Sequence, residues 1–305
     1  MARYLVRRLA STLFAIWAVA TLVFLIVRVT GDPAVLLLSE QYTAEDLVRV
    51  RARLGLDRPL TVQYLRFLAG VPTIDFGRSY RFDQPARELV TERLPATLML
   101  AVAAFGLAVV LSVPAGALSA ARRNSTVDYA ASFLSFLGFA MPIFWLGTML
   151  IIVFGVFLRW LPTSGSGSWR HLVLPAVTLA TFPLGQFTRL VRSEMLDALA
   201  ADYVRTAHAK GLGEGAVLFR HALKNAALPV ITLMGLTFGT LLGGAIITET
   251  IFAWPGLGRL VIQATIARDY PVVQTVVILL AIVFAAINLL VDLAYAALDP
   301  RIRLA

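Results

Sequence analysis

Apolar positions along this chain gather into runs far longer than a water-soluble core requires. Leu9 to Val27 is almost wholly aliphatic and aromatic, and five further runs follow at about 94–121, 127–157, 174–190, 227–249 and 273–296. A helix rises about 1.5 Å per residue, so about 20 apolar residues cross a hydrocarbon layer of about 30 Å. The pattern predicts an all-α polytopic membrane protein with about six transmembrane helices. Pro114 in the second run and Pro142 in the third predict kinks, which neighbouring helices make tolerable in lipid.

Between the first two runs the pattern changes character. From Asp32 to Arg93 the chain carries nine arginines and nine carboxylates, with Asp57-Arg58-Pro59 and Asp75-Phe76-Gly77 as turn signals. Balanced charge with turn residues predicts a folded, water-facing segment of short helices. The chain therefore divides into residues 1–93, the first helix plus this external segment, and residues 94–305, a core of five helices. The first run exceeds a signal-peptide core, and Arg28-Val29-Thr30-Gly31-Asp32 offers no small-x-small cleavage site, so it reads as a retained anchor.

Composition agrees with a bilayer as solvent: of 305 residues 59% are apolar and only 15% charged, with a mean hydropathy of +0.79. The net charge of +9 follows the loops rather than suggesting nucleic acid. Arg3, Arg7 and Arg8, Arg122 and Arg123, the loop bearing Arg189, Arg192, Arg205, Lys210, Arg220 and Lys224, and finally Arg301 and Arg303 share one side of a six-span topology. Basic loops stay cytoplasmic while long segments cross largely regardless of charge, which puts both termini inside and residues 30–93 outside.

Catalytic chemistry finds no foothold. There is no cysteine, and His171, His208 and His221 do not stand at zinc-ligand spacings. No Gly-x-x-x-x-Gly-Lys-Ser/Thr run or His-Glu-x-x-His occurs, and Gly211, Gly213 and Gly215 lack a dinucleotide fingerprint's spacing. No metal site or cofactor is expected in this chain, nor an enzyme. A chain of ionisable groups through the spans and an inverted repeat are both missing, which argues against an ATP-independent secondary transporter.

The loop at 191–226, between the fourth and fifth runs, is longer than most helix connections. Asp202 to Lys210 reads as a short helix, with Asp202 as N-cap and Gly211 as the left-handed stop. Ala207 and Gly211 would let another backbone approach. A helix this short is marginal alone, so it either seats in a partner or lies on the bilayer. Gly235, Gly239 and Gly243 stripe the fifth run for close helix packing, within the chain or against another subunit. Glu249, with Trp254 beyond it, is a candidate for the pathway or an outer gate, or else a structural residue of the outer loop, and Asp292 carries the same ambiguity.

The loop sequence Asp202-Tyr203-Val204-Arg205-Thr206-Ala207-His208-Ala209-Lys210-Gly211-Leu212, followed by Phe219-Arg220-His221-Ala222-Leu223-Lys224-Asn225-Ala226, resembles the cytoplasmic signature of ATP-binding-cassette (ABC) importer permeases. Gly31-Asp32-Pro33, Leu54-Gly55-Leu56-Asp57-Arg58-Pro59-Leu60, Val62-Gln63-Tyr64, Arg93-Leu94-Pro95-Ala96-Thr97 and Pro142-Ile143-Phe144-Trp145-Leu146-Gly147 extend the likeness. Glu249 to Gly258, Arg268-Asp269-Tyr270-Pro271 and Leu298-Asp299-Pro300-Arg301 complete it over essentially the whole chain. The family is that of dipeptide, oligopeptide and nickel permeases, in its first-permease branch, with a type I importer fold. The resemblance implies a bacterial or archaeal cytoplasmic (inner) membrane. It also implies a heterodimer with a sibling permease, two P-loop ATPase subunits that use ATP and Mg, and an external substrate-binding protein. Asp202, Tyr203, Arg205, Thr206, Ala207, Ala209, Lys210, Gly211 and Leu212 would then form the ATPase-coupling helix. Arg205-Thr206-Ala207 stand where the broader signature often has Glu-Ala-Ala, and Gly211 to Pro229 is longer than in the sugar-importer pattern. Family cargo includes peptides, nickel complexes, glutathione and some glycosides, with peptides the commonest.

Overall fold

The structure is a computed structural model that describes residues 2–29, 31–36, 38 and 42–298, with backbone alone for 2–6, 36 and 292–298. The side chains of Arg3 and Asp292, and the closing motif through Arg301 and Arg303, lie outside the described residues. In chain order the helices are α1 (Ala2–Val29), α2 (Pro33–Leu36), α3 (Ala44–Leu54), α4 (Leu60–Gly70), α5 (Ala86–Ala121), α6 (Thr126–Ala140) and α7 (Ile143–Leu150). Then come α8 (Trp169–Ala200), α9 (Asp202–Ala209), α10 (Glu214–Ala216), α11 (Leu223–Ile251), α12 (Leu257–Ile266) and α13 (Tyr270–Leu298). The chain continues beyond α7 and α10 as π-helical turns, Ile151–Phe157 and Val217–Ala222.

All six apolar runs fall on helices. By length and apolar character α1, α5, α11 and α13 can each cross a bilayer, and α6 with α7 makes a fifth crossing broken by a 106° bend. Pro142 sits at that break, as expected of a residue that cannot donate to the preceding turn. At Pro114, by contrast, α5 continues as one helix of 36 residues. The fourth run departs from expectation. The helix that contains it, α8, has 32 residues, enough for a crossing, but is not among the helices apolar enough to qualify. Thr178, Thr181, Gln186 and Thr188 dilute it. It packs against α6, α7 and α11, and Thr178 and Thr188 are buried within the protein.

The described residues form two compact units. One contains those up to Thr97 together with Pro255–Ala286. Its core joins Val23, Phe24 and Val27 of α1, Phe67 of α4, Leu89 and Val90 of α5, Leu257 and Leu260 of α12, and Val272, Val276 and Ile278 of α13. Short helices between α1 and α5 are fixed by local chemistry. Thr43 and Asp46 form a reciprocal capping box at α3, and Gly55 ends it at φ 68°, a left-handed stop that costs glycine nothing.

Buried Asp269 holds the turn at Ser79 and Tyr80 onto the start of α13. It accepts from Ser79 Oγ at 2.5 Å and from the Tyr80 backbone at 3.1 Å, and the Tyr270 hydroxyl donates to the Gly31 carbonyl. Burial pushes the Tyr80 phenol up from its ordinary pKa, with the Asp269 charge acting in the same direction. Asp269→Ala would strand the Ser79 hydroxyl and the Tyr80 amide, at a cost of about 1–3 kcal/mol each. Amide exchange at Tyr80 should then accelerate by about tenfold or more, as expected when a local unit loosens. Unchanged exchange would show that the turn is held by other contacts.

The second unit contains Leu98–Trp254 with the described residues from Ile287 onward. Its helices meet backbone to backbone at glycines. A Cβ on Gly116 of α5 would lie 2.7 Å from the Thr188 carbonyl oxygen of α8, and one on Gly138 of α6 would lie 2.8 Å from that of Thr181. A Cβ on Gly185 of α8 would collide with the Ser135 carbonyl oxygen of α6. Aromatic rings fill the wider gaps: Phe105 meets Phe187 edge to face at 6.1 Å and Phe238 at 5.0 Å, geometries that suit the ring quadrupole.

Candidate functional site

The first part of the 191–226 loop, through Ala200, continues α8 about three turns beyond the expected end of its apolar run. A break at Ala201 (φ −76°, ψ 151°) then starts α9. The expected cap is displaced by one position: Ala201 is the N-cap, and Asp202 lies in the first turn, where its charge favours the helix dipole. At the other end the stop is as expected. Gly211 takes φ +75°, and its amide donates to the His208 carbonyl at 2.9 Å.

One side of α9 is turned inward. Val204 and Ala207 pack with Val217 of the following π turn into a small cluster, so the three residues hold α9 against the chain leading to α11. The expected close approach at Ala207 is therefore taken up by the protein's own loop; the residue is only 6% exposed. At Gly211 a Cβ would meet nothing within 4 Å, and its glycine answers to the positive φ rather than to crowding.

The opposite side is open. Tyr203 (37% exposed), Leu212 and Phe219 present large apolar groups, while Arg205, Thr206, Ala209, Lys210 and Arg220 are also exposed. Arg205 approaches Asp202 at 3.7 Å with both side chains largely in solvent, which contributes little to stability. The loop therefore offers apolar anchors ringed by positive charge, an arrangement that can bind another protein but contains no group positioned for catalysis.

Sequence reasoning passed over what sits at the base of this loop. Arg192, near the C-terminal end of α8, forks onto Asp128 of α6, with Nε to Oδ1 at 2.6 Å and Nη2 to Oδ2 at 2.8 Å. Ser119 Oγ of α5 donates to Oδ1 at 2.6 Å, and the Asn124 amide donates to Oδ2 at 2.9 Å. Asp128 is 3% exposed. The available sequence signal was a lone acid at a helix start and a lone arginine in a basic loop.

The other candidate residues are placed as follows. Along α11, Gly235 meets Val291 of α13, where a Cβ would come within 2.6 Å; Gly239 is buried, and Gly243 faces open space. The stripe thus packs within the chain at one end and is free at the other. Glu249 and Trp254 are buried, at 0% and 1% exposed, and the Trp254 amide donates to the Glu249 carbonyl at 2.8 Å. In this conformation neither lines an open passage.

The chain is similar to known proteins along almost its whole length. A family profile described as "Binding-protein-dependent transport system inner membrane component" matches residues 112–304, and the N-terminal profile of the same kind matches 1–101. The chain is 41% identical to the oligopeptide transport system permease protein of Bacillus subtilis, over 99% of both chains. It is 40% identical to the dipeptide transport system permease protein of Alkalihalophilus pseudofirmus, over 99% of this chain and 100% of the other. With the glutathione transport system permease protein of Salmonella paratyphi A it shares 42% identity over 99% of both. Among solved structures, the inward-facing MetNI methionine ABC transporter matches with a TM-score of 0.60 at 20% identity, covering 69% of this chain and 96% of that one. A crystallised amino acid ABC transporter matches with a TM-score of 0.54 at 16% identity, over 69% and 94%. At such identities the structures speak for the fold alone.

Proposed function

The chain belongs to the family of binding-protein-dependent transport system inner membrane components, and on that premise we propose that it forms one half of the pathway of an importer for dipeptides, oligopeptides or closely related solutes. It is a permease subunit, a multi-pass protein of the inner membrane, and no enzyme. In the proposed assembly a sibling permease completes the pathway as a heterodimer, two P-loop ATPases bind ATP and Mg beneath it, and an external binding protein delivers cargo. Both termini then lie in the cytoplasm, on the side of the basic loops.

The observation that carries this reading is the two-sided construction of α9. Val204 and Ala207 anchor it to its own loop, whereas Tyr203, Arg205, Thr206, Ala209, Lys210, Gly211 and Leu212 are left exposed. A helix braced from behind and bare in front can carry force from a docked ATPase as a rigid element, so that ATP-driven closure below biases the spans above toward one of two states. The division of the chain at residue 93 belongs to the same reading, with the external segment 30–93 facing the binding protein. Glutathione is itself a small peptide, so the glutathione permease among the relatives fits the same cargo class.

Purification of the chain in mild detergent from its native membrane should bring with it a sibling permease and two ATPases. Reconstituted with the binding protein, the assembly should take up labelled dipeptide only when ATP is present. A chain that emerged alone and moved solute without ATP would be a secondary carrier, and the reading would fall.

A further inference from the structure

One carboxylate gathers four chain segments at the base of the coupling loop. Asp128 takes the Arg192 fork, the Ser119 hydroxyl and the Asn124 amide, so the end of α5, the α5–α6 turn, the start of α6 and the cytoplasmic part of α8 converge on two oxygen atoms. Both faces of the carboxylate are satisfied, and the bidentate fork fixes the angle as well as the distance. From Arg192 α8 runs unbroken to Ala200, one residue before α9. A displacement of α9 therefore crosses the one-residue break at Ala201 and then reaches Arg192 along about two unbroken turns of α8.

With Asp128 buried and Arg192 partly exposed, this ion pair is a weak device for stability, because desolvation of the carboxylate offsets much of the attraction and solvent screens the rest. What it supplies is a single geometry that resists slippage. Resting on the reading of α9 as the ATPase-facing helix, we propose that Asp128 and Arg192 are positioning residues that make α5 and α6 follow α8 when the coupling loop moves, and so keep ATP turnover linked to opening of the pathway. Without the pair, α8 would still answer the ATPases, while the helices beside it would answer less.

The test uses the whole importer in proteoliposomes and reads three quantities: ATPase subunits retained, ATP hydrolysed and solute delivered. Asp128→Asn should retain the ATPases and their hydrolysis while uptake falls about tenfold, so that ATP consumed per solute rises by the same factor, a coupling loss of ordinary size. Arg192→Lys keeps the charge but loses the planar fork and should fall between this variant and the parent; it also carries the test if Asp128→Asn fails to insert. The exchanged pair Asp128→Arg with Arg192→Asp should recover part of the lost uptake. A wild-type ratio of ATP to solute in the single variants would overturn the proposal. So would a parallel fall of hydrolysis and uptake together with thermal stability, which is the mark of a merely structural staple. If the unmodified chain retained no ATPase, the assignment of α9 would fail first, and that outcome is visible before any variant is compared.

Discussion

Replacing Tyr203 by aspartate should leave the chain in the membrane at its normal level while ATPase subunits no longer co-purify and uptake falls roughly thirtyfold or more, the effect of losing an interface anchor worth about 2 kcal/mol. Tyr203 is exposed and takes no part in the Val204, Ala207 and Val217 cluster, so its loss takes little from the fold. A buried carboxylate at an interface would also face desolvation without a partner. Ala207→Glu makes the instructive contrast. That side chain would enter the loop's own packing, so the variant should loosen α9 before any partner arrives, with faster amide exchange across α9 in the isolated chain. ATPase binding and uptake that stayed normal in Tyr203→Asp would exclude this side of α9 from the contact.

Gly185→Val is expected to remove folded protein from the membrane almost entirely. The added atoms would enter the Ser135 carbonyl of α6, a backbone group that cannot rotate aside, and overpacking of this kind typically costs 1–3 kcal/mol or more. Small residues are what allow helices in lipid to meet this closely. Gly106→Ala is the matched control, because a Cβ there meets nothing within 4 Å. Immunodetection of membrane fractions, with thermal melting in detergent, checks both. A stable, abundant Gly185→Val chain would mean that the α6–α8 crossing is not as close as described.

What the sequence disclosed and what it withheld divide along the reach of each signal. Long apolar runs locate spans because twenty residues must satisfy one solvent, and the turn at Gly211 was legible because a positive φ selects its residue locally. Pairings at a distance left no such trace. Asp128 and Arg192 lie 64 residues apart, and Ser79 lies 190 residues from Asp269; each member has a sufficient local explanation, in a helix dipole or a basic loop, that conceals its partner. The glycines make the same point. The periodic stripe of α11 drew notice, yet Gly243 in it faces open space, while the solitary Gly138 and Gly185 make close crossings. Periodicity marks a face of a helix but carries no information about what approaches it. Ala207 is a related case, because smallness permits an approach from either side and here the protein's own loop makes one.

The crossing of α6 and α8 has a kinematic consequence. Gly138 lies beneath Thr181, and Gly185 beneath Ser135, giving two contact points separated by about 4.5 Å along one helix and about 6 Å along the other at 1.5 Å per residue. A single point of contact would leave a pivot, about which the helices could scissor. Two points stiffen the crossing itself, while the helix ends seven residues away on each side are left for the Asp128–Arg192 fork to hold together. A push delivered at the end of α8 therefore reaches α6 first through the fork and only then through the crossing.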